Sequence, residues 1–322
     1  MKRWVKRTLV VSGSVIAAIG LGAAVYTWHL YHSIKQTAAQ IYEPIQTSAA
    51  YVSKDPEVKE TRPAAAEQLI DEKHPFTVLA MGVDERGEDA GRSDTLIVMA
   101  VNPAKKSILM FNIPRDTRTE IIGHGTLDKI NHAYAFGGAE MSKSTVEHFL
   151  DFPIDYYIRV NMEGFAQLID LIGGVEVENP FAFFYEGHQF DKGPLKLNGN
   201  EALLYSRMRY DDPRGDFGRN ARQREIVKQV LKNALTYNSF TQIEKLLDQL
   251  GGSVRTNITF DEMKTFIADY RTDLESIDTV EIKGSGATIN RVWYYIVGNE
   301  EKERIHNLLK EQMSAGEADS KL

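Results

Sequence analysis

Two apolar runs joined by a turn limit the fold of this chain more than any other feature. They lie within residues 91–120, GRSDTLIVMAVNPAKKSILMFNIPRDTRTE. Thr95–Val101 and Ser107–Ile113 are apolar at odd and even positions over much of their length, which is typical of strands in a sheet covered on both faces. The turn is predicted near Ala104, because Pro103 has a fixed φ and no N–H for a central strand. This stretch therefore predicts a β-hairpin inside a layered domain.

Charged residues stand at the open end of this hairpin. Antiparallel pairing about the turn would set Asp94 opposite about position 114 and Arg92 opposite about position 116. The charges of both strands are therefore expected to form one cluster, which comprises Arg92, Asp94, Arg115, Asp116 and Arg118.

The remainder of the chain alternates strand and helix patterns. Helices are predicted where Asn198 and Thr259 can cap a first turn, and a further helix is predicted over Arg219–Leu235. The alternation predicts an α/β domain over residues 74–314, with a mixed central β-sheet and helices on both faces in a three-layer α/β/α arrangement. Residues 315–322 are expected to be disordered.

The N-terminus predicts a membrane anchor. Residues 1–7 carry four cationic side chains, and Thr8–Trp28 follows with 21 residues that include no charge. Such a helix would be about 32 Å long, enough for a bilayer core. The basic flank predicts a cytoplasmic segment at residues 1–7, a transmembrane helix at 8–28, and an extracytoplasmic stalk at 29–73. A cleaved signal peptide is the alternative, and the length of the run favours the anchor.

Composition excludes several classes of function. A net charge of −7 argues against nonspecific binding of nucleic acid by the whole surface. The chain has no cysteine, which excludes disulfides and thiolate metal sites. Zinc-protease, serine-hydrolase, P-loop and Rossmann motifs are absent from contexts that would support them.

The run YSRMRYDDPRGDFGRNARQR, residues 205–224, is rich in arginine. Six arginines lie within residues 207–224. Arg207 and Arg209 would point to one side of an extended segment, and Arg219, Arg222 and Gln223 would share one face of a helix's first turn. Cationic residues at a helix N-terminus oppose the macrodipole, so stability alone does not explain them.

Two interpretations of these charges are open. Salt bridges among them are the structural one, but a surface pair contributes only ~0–1 kcal/mol. A polyanion site is the functional one, because arginine binds phosphate oxygens in bidentate fashion and two carboxylates hold a hard cation beside phosphates. A pyrophosphate with Mg²⁺, or Mn²⁺ in its place, fits best. Lys129 is a further candidate phosphate contact, whereas His132 is expected to be packed rather than catalytic.

Ordered motifs along the chain carry a family resemblance. They are GVDER, GRSDT, NIPRDT, DKINHAYAFGG, PIDYYIRVNMEGF, IGGVEV and LNGNEALLYSRMRYDDPRGDFGRNARQR. In this order they resemble the LytR–CpsA–Psr family of Gram-positive bacteria over about residues 76–235. Within that family, the sequence is most similar to the Bacillus-type enzymes that transfer wall teichoic acid.

The resemblance implies a function. It implies an Mg²⁺-dependent phosphotransferase that moves an anionic glycopolymer from undecaprenyl pyrophosphate to the C6 hydroxyl of N-acetylmuramic acid in peptidoglycan. A phosphodiester forms and undecaprenyl phosphate leaves. The alternatives are a prenyl-pyrophosphate hydrolase with the same site and a non-catalytic protein that binds or regulates lipid-linked polymer.

The resemblance also implies roles for individual residues. Asp84 and Asp94 would bind the metal and, with Arg92 and Arg115, form the catalytic group. The pyrophosphate and head group would be held by Arg92, Arg115, Arg207, Arg209, Arg219 and Gln223, with Asp216 orienting arginines. Arg118, Lys129 and Arg222 are further predicted substrate contacts. They are predicted from their positions in the charged segments and not from the resemblance. A long apolar pocket would take the prenyl chain, with Phe165, Leu168 and the Phe181–Tyr185 run as candidate walls.

Overall fold

The computed structural model of the 322-residue chain describes ten stretches of it. They are residues 20–22, 25, 27–29, 31–33, 35–45, 51–60, 74–85, 91–234, 249–266 and 275–314. The predicted cytoplasmic segment, most of the predicted anchor and the C-terminal tail lie outside these stretches. Among the described residues, none of the helices has the length and apolar character needed to cross a bilayer.

Strands make up most of the centre of the molecule. In chain order they are β1 (Phe76–Val83), β2 (Ser93–Asn102), β3 (Ser107–Asn112), β4 (Arg118–Ile121), β5 (Thr126–Lys129), β6 (Tyr156–Asn161), β7 (Val175–Asn179), β8 (Phe183–Tyr185), β9 (His188–Phe190), β10 (Gly193–Leu197), β11 (Val254–Thr256), β12 (Ser276–Glu281), β13 (Ser285–Ile289) and β14 (Val292–Ile296). Six of them form one sheet in the order β11-β6-β1-β2-β3-β12. Strand β1 is parallel to β6 and β3 is parallel to β12, whereas the other pairs are antiparallel, so the predicted mixed sheet is confirmed.

Helices cover both faces of this sheet. They are α1 (Pro56–Glu60), α2 (His132–Leu150), α3 (Met162–Leu171), α4 (Gly199–Arg207), α5 (Asp216–Ala234), α6 (Phe260–Thr265) and α7 (Asn299–Met313). Val98 packs in one core with residues of α2 and α7, while its neighbour Ile97 packs in a second core with α5 and α6. Successive side chains of a strand point to opposite faces, so a strand that is apolar at every position requires two covers, as predicted.

The hairpin register differs from the prediction by one residue. Ile97 pairs with Asn112 and Asn102 pairs with Ser107, so Asp94 corresponds to position 115 rather than 114. The turn occupies residues 103–106, with Lys106 at φ 53°, and its centre lies just beyond Ala104. The ladder ends at Asn112, and the charged residues still lie at the end of the hairpin away from the turn.

Local sequence signals place several helix starts. Asn198 and Thr259 each form the expected capping box, with Glu201 and Glu262 three residues later. Helix α5 begins at Asp216, three residues before the predicted start. An acidic first residue favours this earlier start, because it complements the positive end of the helix dipole.

Part of the segment predicted to be a stalk packs on the domain. Ile41 is 3% exposed, and Tyr42 forms a parallel β-bridge with Thr256. Further along, Val58 of α1 enters the core that contains α2 and α7. Burial of these apolar side chains gives the segment a place on the domain surface, which its polar composition did not predict.

Candidate active site

A cavity of about 320 Å³ opens between the central sheet and helices α3, α4 and α5. One part of its wall is apolar and includes Ala80, Ile97, Val160, Phe165, Leu203 and Val227. The other part carries Asp84, Asp94, Arg115, Arg207, Arg209, Arg219 and Gln223. The cavity is therefore amphipathic, with most of the residues predicted for the site gathered at its polar part.

Asp94 owes its position to an irregularity of β2. Gly82 pairs with Thr95 and Val83 pairs with Ser93, so Asp94 is an extra residue between two paired positions. Such bulges re-aim a side chain and are common beside active sites. The carboxylate of Asp94 accepts hydrogen bonds from Arg115 Nη1 at 2.9 Å and Asn131 Nδ2 at 3.0 Å.

Hydrogen bonds to Glu85 fix the segment that follows β1. Asp84 lines the cavity, and the carboxylate of its neighbour Glu85 accepts hydrogen bonds from Tyr134 and Arg159. Burial, together with the bond to Glu85, raises the pKa of Tyr134 to about 12, so the phenol stays a hydrogen-bond donor. The strand end that bears Asp84 is thus anchored by side chains of α2 and β6.

Arg115 joins the cavity to a second carboxylate. Its Nε lies 3.7 Å from Asp116 Oδ2, and Lys129 Nζ lies 2.7 Å from Asp116 Oδ1. The Arg115 Nε is buried and has no hydrogen-bond partner among the described residues. Lys129 serves this carboxylate and does not line the cavity.

Arg219 is the most buried cation of the cavity wall. The residue is 7% exposed, in the first turn of α5. Its Nη2 lies 2.8 Å from Asp216 Oδ1, but the two groups are not aligned for a hydrogen bond. Within the described part of the chain, Nε and Nη2 have no hydrogen-bond partner. Burial lowers the pKa of Arg219, which remains charged because guanidinium starts from such a high value. The Asp216 carboxylate balances part of this charge, and the donors without hydrogen bonds leave Arg219 able to bind a further acceptor.

Arg207 and Arg209 do not lie in the extended segment that was predicted for them. Arg207 is the last residue of α4, and Met208 caps that helix, so the segment is not extended. Arg207 Nη1 lies 3.8 Å from Glu186 Oε2. Arg209 donates to the Tyr210 hydroxyl at 2.6 Å and lies over the Tyr210 ring. Both arginines nevertheless line the cavity.

Gln223 is oriented from the sheet. Its Oε1 accepts a hydrogen bond of 3.3 Å from Asn112 Nδ2, while Asn112 Oδ1 accepts one of 3.0 Å from Arg224. Asn112 stands at the end of β3 and is 3% exposed. Nothing in the sequence marked Asn112 as part of the site, since only the register of β3 against α5 brings it there.

Five predicted substrate contacts lie outside the cavity wall, namely Lys129 and Asp216, described above, and Arg92, Arg118 and Arg222. Arg222 is buried, and its guanidinium donates to the carbonyls of Tyr205 and Met208 and to the Asp212 carboxylate. It therefore closes the C-terminal end of α4 instead of facing the cavity. Arg118 lies over the ring of Tyr294, and Arg92 is exposed on the protein surface.

Other lining residues were not predicted or only partly so. Tyr185 and Phe165 line the cavity, whereas Leu168 and the residues 181–184 do not. Asn161, Ser206 and Tyr210 also line it and had no distinguishing sequence signal.

A divalent cation has limited protein ligands here. The described residues contain no group of three or more His, Asp or Glu side chains arranged for a metal. Asp84 and Asp94 both line the polar part of the cavity. This donor set fits Mg²⁺, which commonly binds one or two carboxylates and completes its octahedron with phosphate oxygens and water.

Comparison with known proteins identifies the family. A sequence model of the LytR_cpsA_psr family matches residues 28–311. The chain is 46% identical to the polyisoprenyl-teichoic acid--peptidoglycan teichoic acid transferase TagU of Halalkalibacterium halodurans, over 96% of this chain and 99% of that protein. It is 44% identical to TagU of Bacillus subtilis, over 97% and 98% of the two chains. The crystal structure of B. subtilis TagU matches with a TM-score of 0.63 at 43% identity and covers 77% of this chain and 100% of that one. The chain therefore belongs to the LytR_cpsA_psr family.

Proposed function

We propose that the protein transfers an anionic glycopolymer, wall teichoic acid, from a polyisoprenyl-pyrophosphate carrier to peptidoglycan. The acceptor is the C6 hydroxyl of N-acetylmuramic acid, and the products are a phosphodiester and undecaprenyl phosphate. The single observation that carries this proposal is the amphipathic cavity, in which four arginines and two aspartates adjoin an apolar wall. The names of relatives at 44–46% identity supply the polymer and the acceptor.

The two parts of the cavity match the two parts of a lipid pyrophosphate. The wall formed by the sheet and by Phe165, Leu203 and Val227 suits an isoprenoid chain, whose burial is favoured by ~25 cal/mol per Å² of apolar surface. The polar part presents four arginines, whose guanidinium groups can bind the phosphate oxygens of a pyrophosphate in bidentate fashion.

Asp84 and Asp94 would hold Mg²⁺, or Mn²⁺ in its place, against the pyrophosphate. The bound cation would neutralise charge on the phosphate oxygens. Arg115 keeps Asp94 in place through the 2.9 Å hydrogen bond, and Asn131 fixes its other oxygen.

The protein's own side chains supply positioning and charge. Phosphoryl transfer needs little covalent assistance, so orientation and electrostatic stabilisation dominate. Arg115 and Arg219 both line the cavity, so their guanidinium groups can stabilise the charge that develops on the leaving phosphate. Asp84, which follows β1 on the cavity wall, is the carboxylate assigned to accept the proton of the acceptor hydroxyl.

The location follows from the donor and the acceptor. The uncharged run Thr8–Trp28 and its basic flank support a single-pass anchor with the N-terminus inside and the catalytic domain outside. In that position the domain meets the lipid carrier at the membrane and peptidoglycan beyond it.

Reconstitution with both substrates tests the proposal. The full-length protein in lipid vesicles receives a defined prenyl-pyrophosphate-linked teichoic acid precursor, with and without peptidoglycan and with and without Mg²⁺. We expect polymer attached to peptidoglycan and one prenyl phosphate released per chain transferred. Release that proceeds equally without peptidoglycan, with no attached polymer, would instead establish a hydrolase.

A further inference from the structure

The hairpin of β13 and β14 presents an aromatic side chain next to the active site. Its two-residue turn has positive φ at both Asn290 (49°) and Arg291 (66°), the geometry that matches the twist of paired strands. Trp293 on β14 is 48% exposed, although a large apolar ring gains free energy from burial.

The hairpin is fixed firmly to the domain. Tyr295 N donates to Asp116 O at 2.9 Å, and Tyr295 forms a parallel bridge with Thr117. The Tyr295 ring is 5% exposed and contacts Phe217 with 5.5 Å between ring centroids. These contacts tie the strand that carries Trp293 to the segment that carries Arg115.

The indole of Trp293 packs against Gly286 of β13. A Cβ at Gly286 would lie 3.0 Å from the indole Nε1 and 3.1 Å from Cζ2. The ring of Trp293 therefore occupies the space that a side chain at position 286 would fill. A side chain that is seated in this way loses little rotamer freedom when a ligand stacks on it.

Trp293 also borders a small recess of about 30 Å³. The charged residues among those lining the recess are Asp116 and Asp216. Asp116 contacts Arg115, and Asp216 lies 2.8 Å from Arg219. One layer of side chains therefore separates the recess from two arginines of the cavity.

We propose that Trp293, with Asp116 and Asp216, binds a sugar ring of the acceptor glycan beside the pyrophosphate site. A pyranose has an apolar face of C–H groups that can stack on an indole, and hydroxyls at its edge that can donate to carboxylates. Asp116 lies 2.7 Å from Lys129 and Asp216 lies 2.8 Å from Arg219, and both side chains stay partly exposed, so each can accept a hydrogen bond from a sugar hydroxyl. This inference rests on the proposed function, because the acceptor it names is the acceptor of that reaction.

Transfer kinetics of the full-length protein test this sugar-binding platform, which comprises Trp293, Asp116 and Asp216. Trp293→Ala is expected to raise the KM for soluble, uncrosslinked peptidoglycan strands about tenfold, as is common when a tryptophan at the centre of an interface is removed. The KM for the lipid donor should stay within about twofold of that of the wild type. Trp293→Tyr should retain part of the acceptor affinity, and Gly286→Val should weaken it because the new side chain displaces the indole.

Val292→Ala is the matched control, since Val292 is the neighbouring residue on β14 and is 40% exposed. An acceptor KM of Trp293→Ala equal to that of Val292→Ala, or a rise in the donor KM instead, would overturn the inference.

A binding experiment separates this inference from the proposed function. The probe is a tetramer of N-acetylglucosamine, titrated by calorimetry into wild type, Trp293→Ala and Val292→Ala. Binding that only Trp293→Ala loses supports the platform, even if the wild type fails to transfer polymer. Equal binding by all three proteins, or none, refutes the platform and leaves the transfer assay to decide the proposed function.

Discussion

Arg219 and Arg222 lie three residues apart on α5, and the structure gives them different environments. Arg219 lines the cavity, and two of its donors have no hydrogen-bond partner among the described residues, whereas Arg222 donates to two carbonyls and a carboxylate. Spacing on a helix predicts that the two side chains share a face. The carbonyls at the end of α4 nevertheless lie within reach of Arg222 and bind its guanidinium.

Arg219→Ala should slow transfer with little change in stability. Loss of a charge-assisted contact typically costs ~1.5–3 kcal/mol, or about 10–150-fold in rate if the contact is made in the transition state. Arg219→Lys should recover only part of the rate, because a point charge does not reproduce the guanidinium fork. Initial transfer rates at saturating Mg²⁺ check this.

Lys228→Ala is the control on the same helix. Lys228 does not line the cavity, and both positions change to alanine, which has high helix propensity. Similar rates for the two variants would remove this face of α5 from the active site.

Arg222→Ala should unfold more readily. The change leaves the Asp212 carboxylate, 7% exposed, without its buried partner, and it frees the carbonyls at the end of α4. Breaking a buried ion pair on one side typically costs about 3–5 kcal/mol. Thermal unfolding should show a large fall in Tm that Arg219→Ala lacks, and similar Tm values for the two variants would contradict the structural assignment of Arg222.

Helices α3 and α4 form one wall of the cavity because they approach closely at a glycine. A Cβ at Gly199 would lie 2.1 Å from the carbonyl oxygen of Ala166. The two helices also share a hydrogen bond of 2.7 Å from Gly199 N to Asp170 Oδ1. This part of the cavity wall therefore depends on a close contact between α3 and α4 that only glycine at position 199 permits.

Gly199→Ala should move α4 away from α3. Overpacking of this kind typically costs ~1–3 kcal/mol, and the widened wall should raise the KM for the lipid donor. Unfolding curves and donor titrations measure the two effects. Asn200→Ala, at the next and exposed position of α4, should change neither, and a Gly199→Ala protein with wild-type values would show that the helices tolerate separation.

The N-terminal segment is held to the rest of the molecule by Asp55. Its carboxylate lies 3.0 Å from Lys310 Nζ and 3.2 Å from His306 Nε2 on α7. The hydrogen bond from Lys310 is the main cause that lowers the pKa of Asp55 from 3.8 to about 2, with a smaller contribution from the backbone of Glu57. Through these contacts the segment around α1 stays on the core.

Stability should fall in acid as this carboxylate is protonated. A depressed folded-state pKa contributes stability above the unfolded value near 3.8, and that contribution disappears as the pH falls toward about 2. The Tm of the wild type should therefore exceed that of Asp55→Asn near neutral pH, with the difference narrowing between about pH 4 and 2. A Tm difference that is constant across this range would show that the ion pairs contribute nothing.

The sequence by itself determined the layered α/β architecture and the identity of the charged residues that line the cavity. Apolar side chains at successive positions of β2 and β3 require two covers, and capping residues such as Asn198 define helix starts within a few residues. Both signals are local, so they survive without knowledge of the fold. The same holds for Asp94 and Arg115, which the hairpin must bring to one end.

Only the tertiary structure decided how the charges are divided between stability and the site. Arg222 donates to a carbonyl at the end of α4, Lys129 pairs with Asp116, and Asn112 donates to Gln223. Neither helical spacing nor proximity in the sequence predicted these partners. The bulge at Asp94 and the docking of residues 41–58 also depend on pairing between distant segments. Hydrogen bonds and burial act through space, so partners far apart in the chain are set by the fold and not by the local sequence.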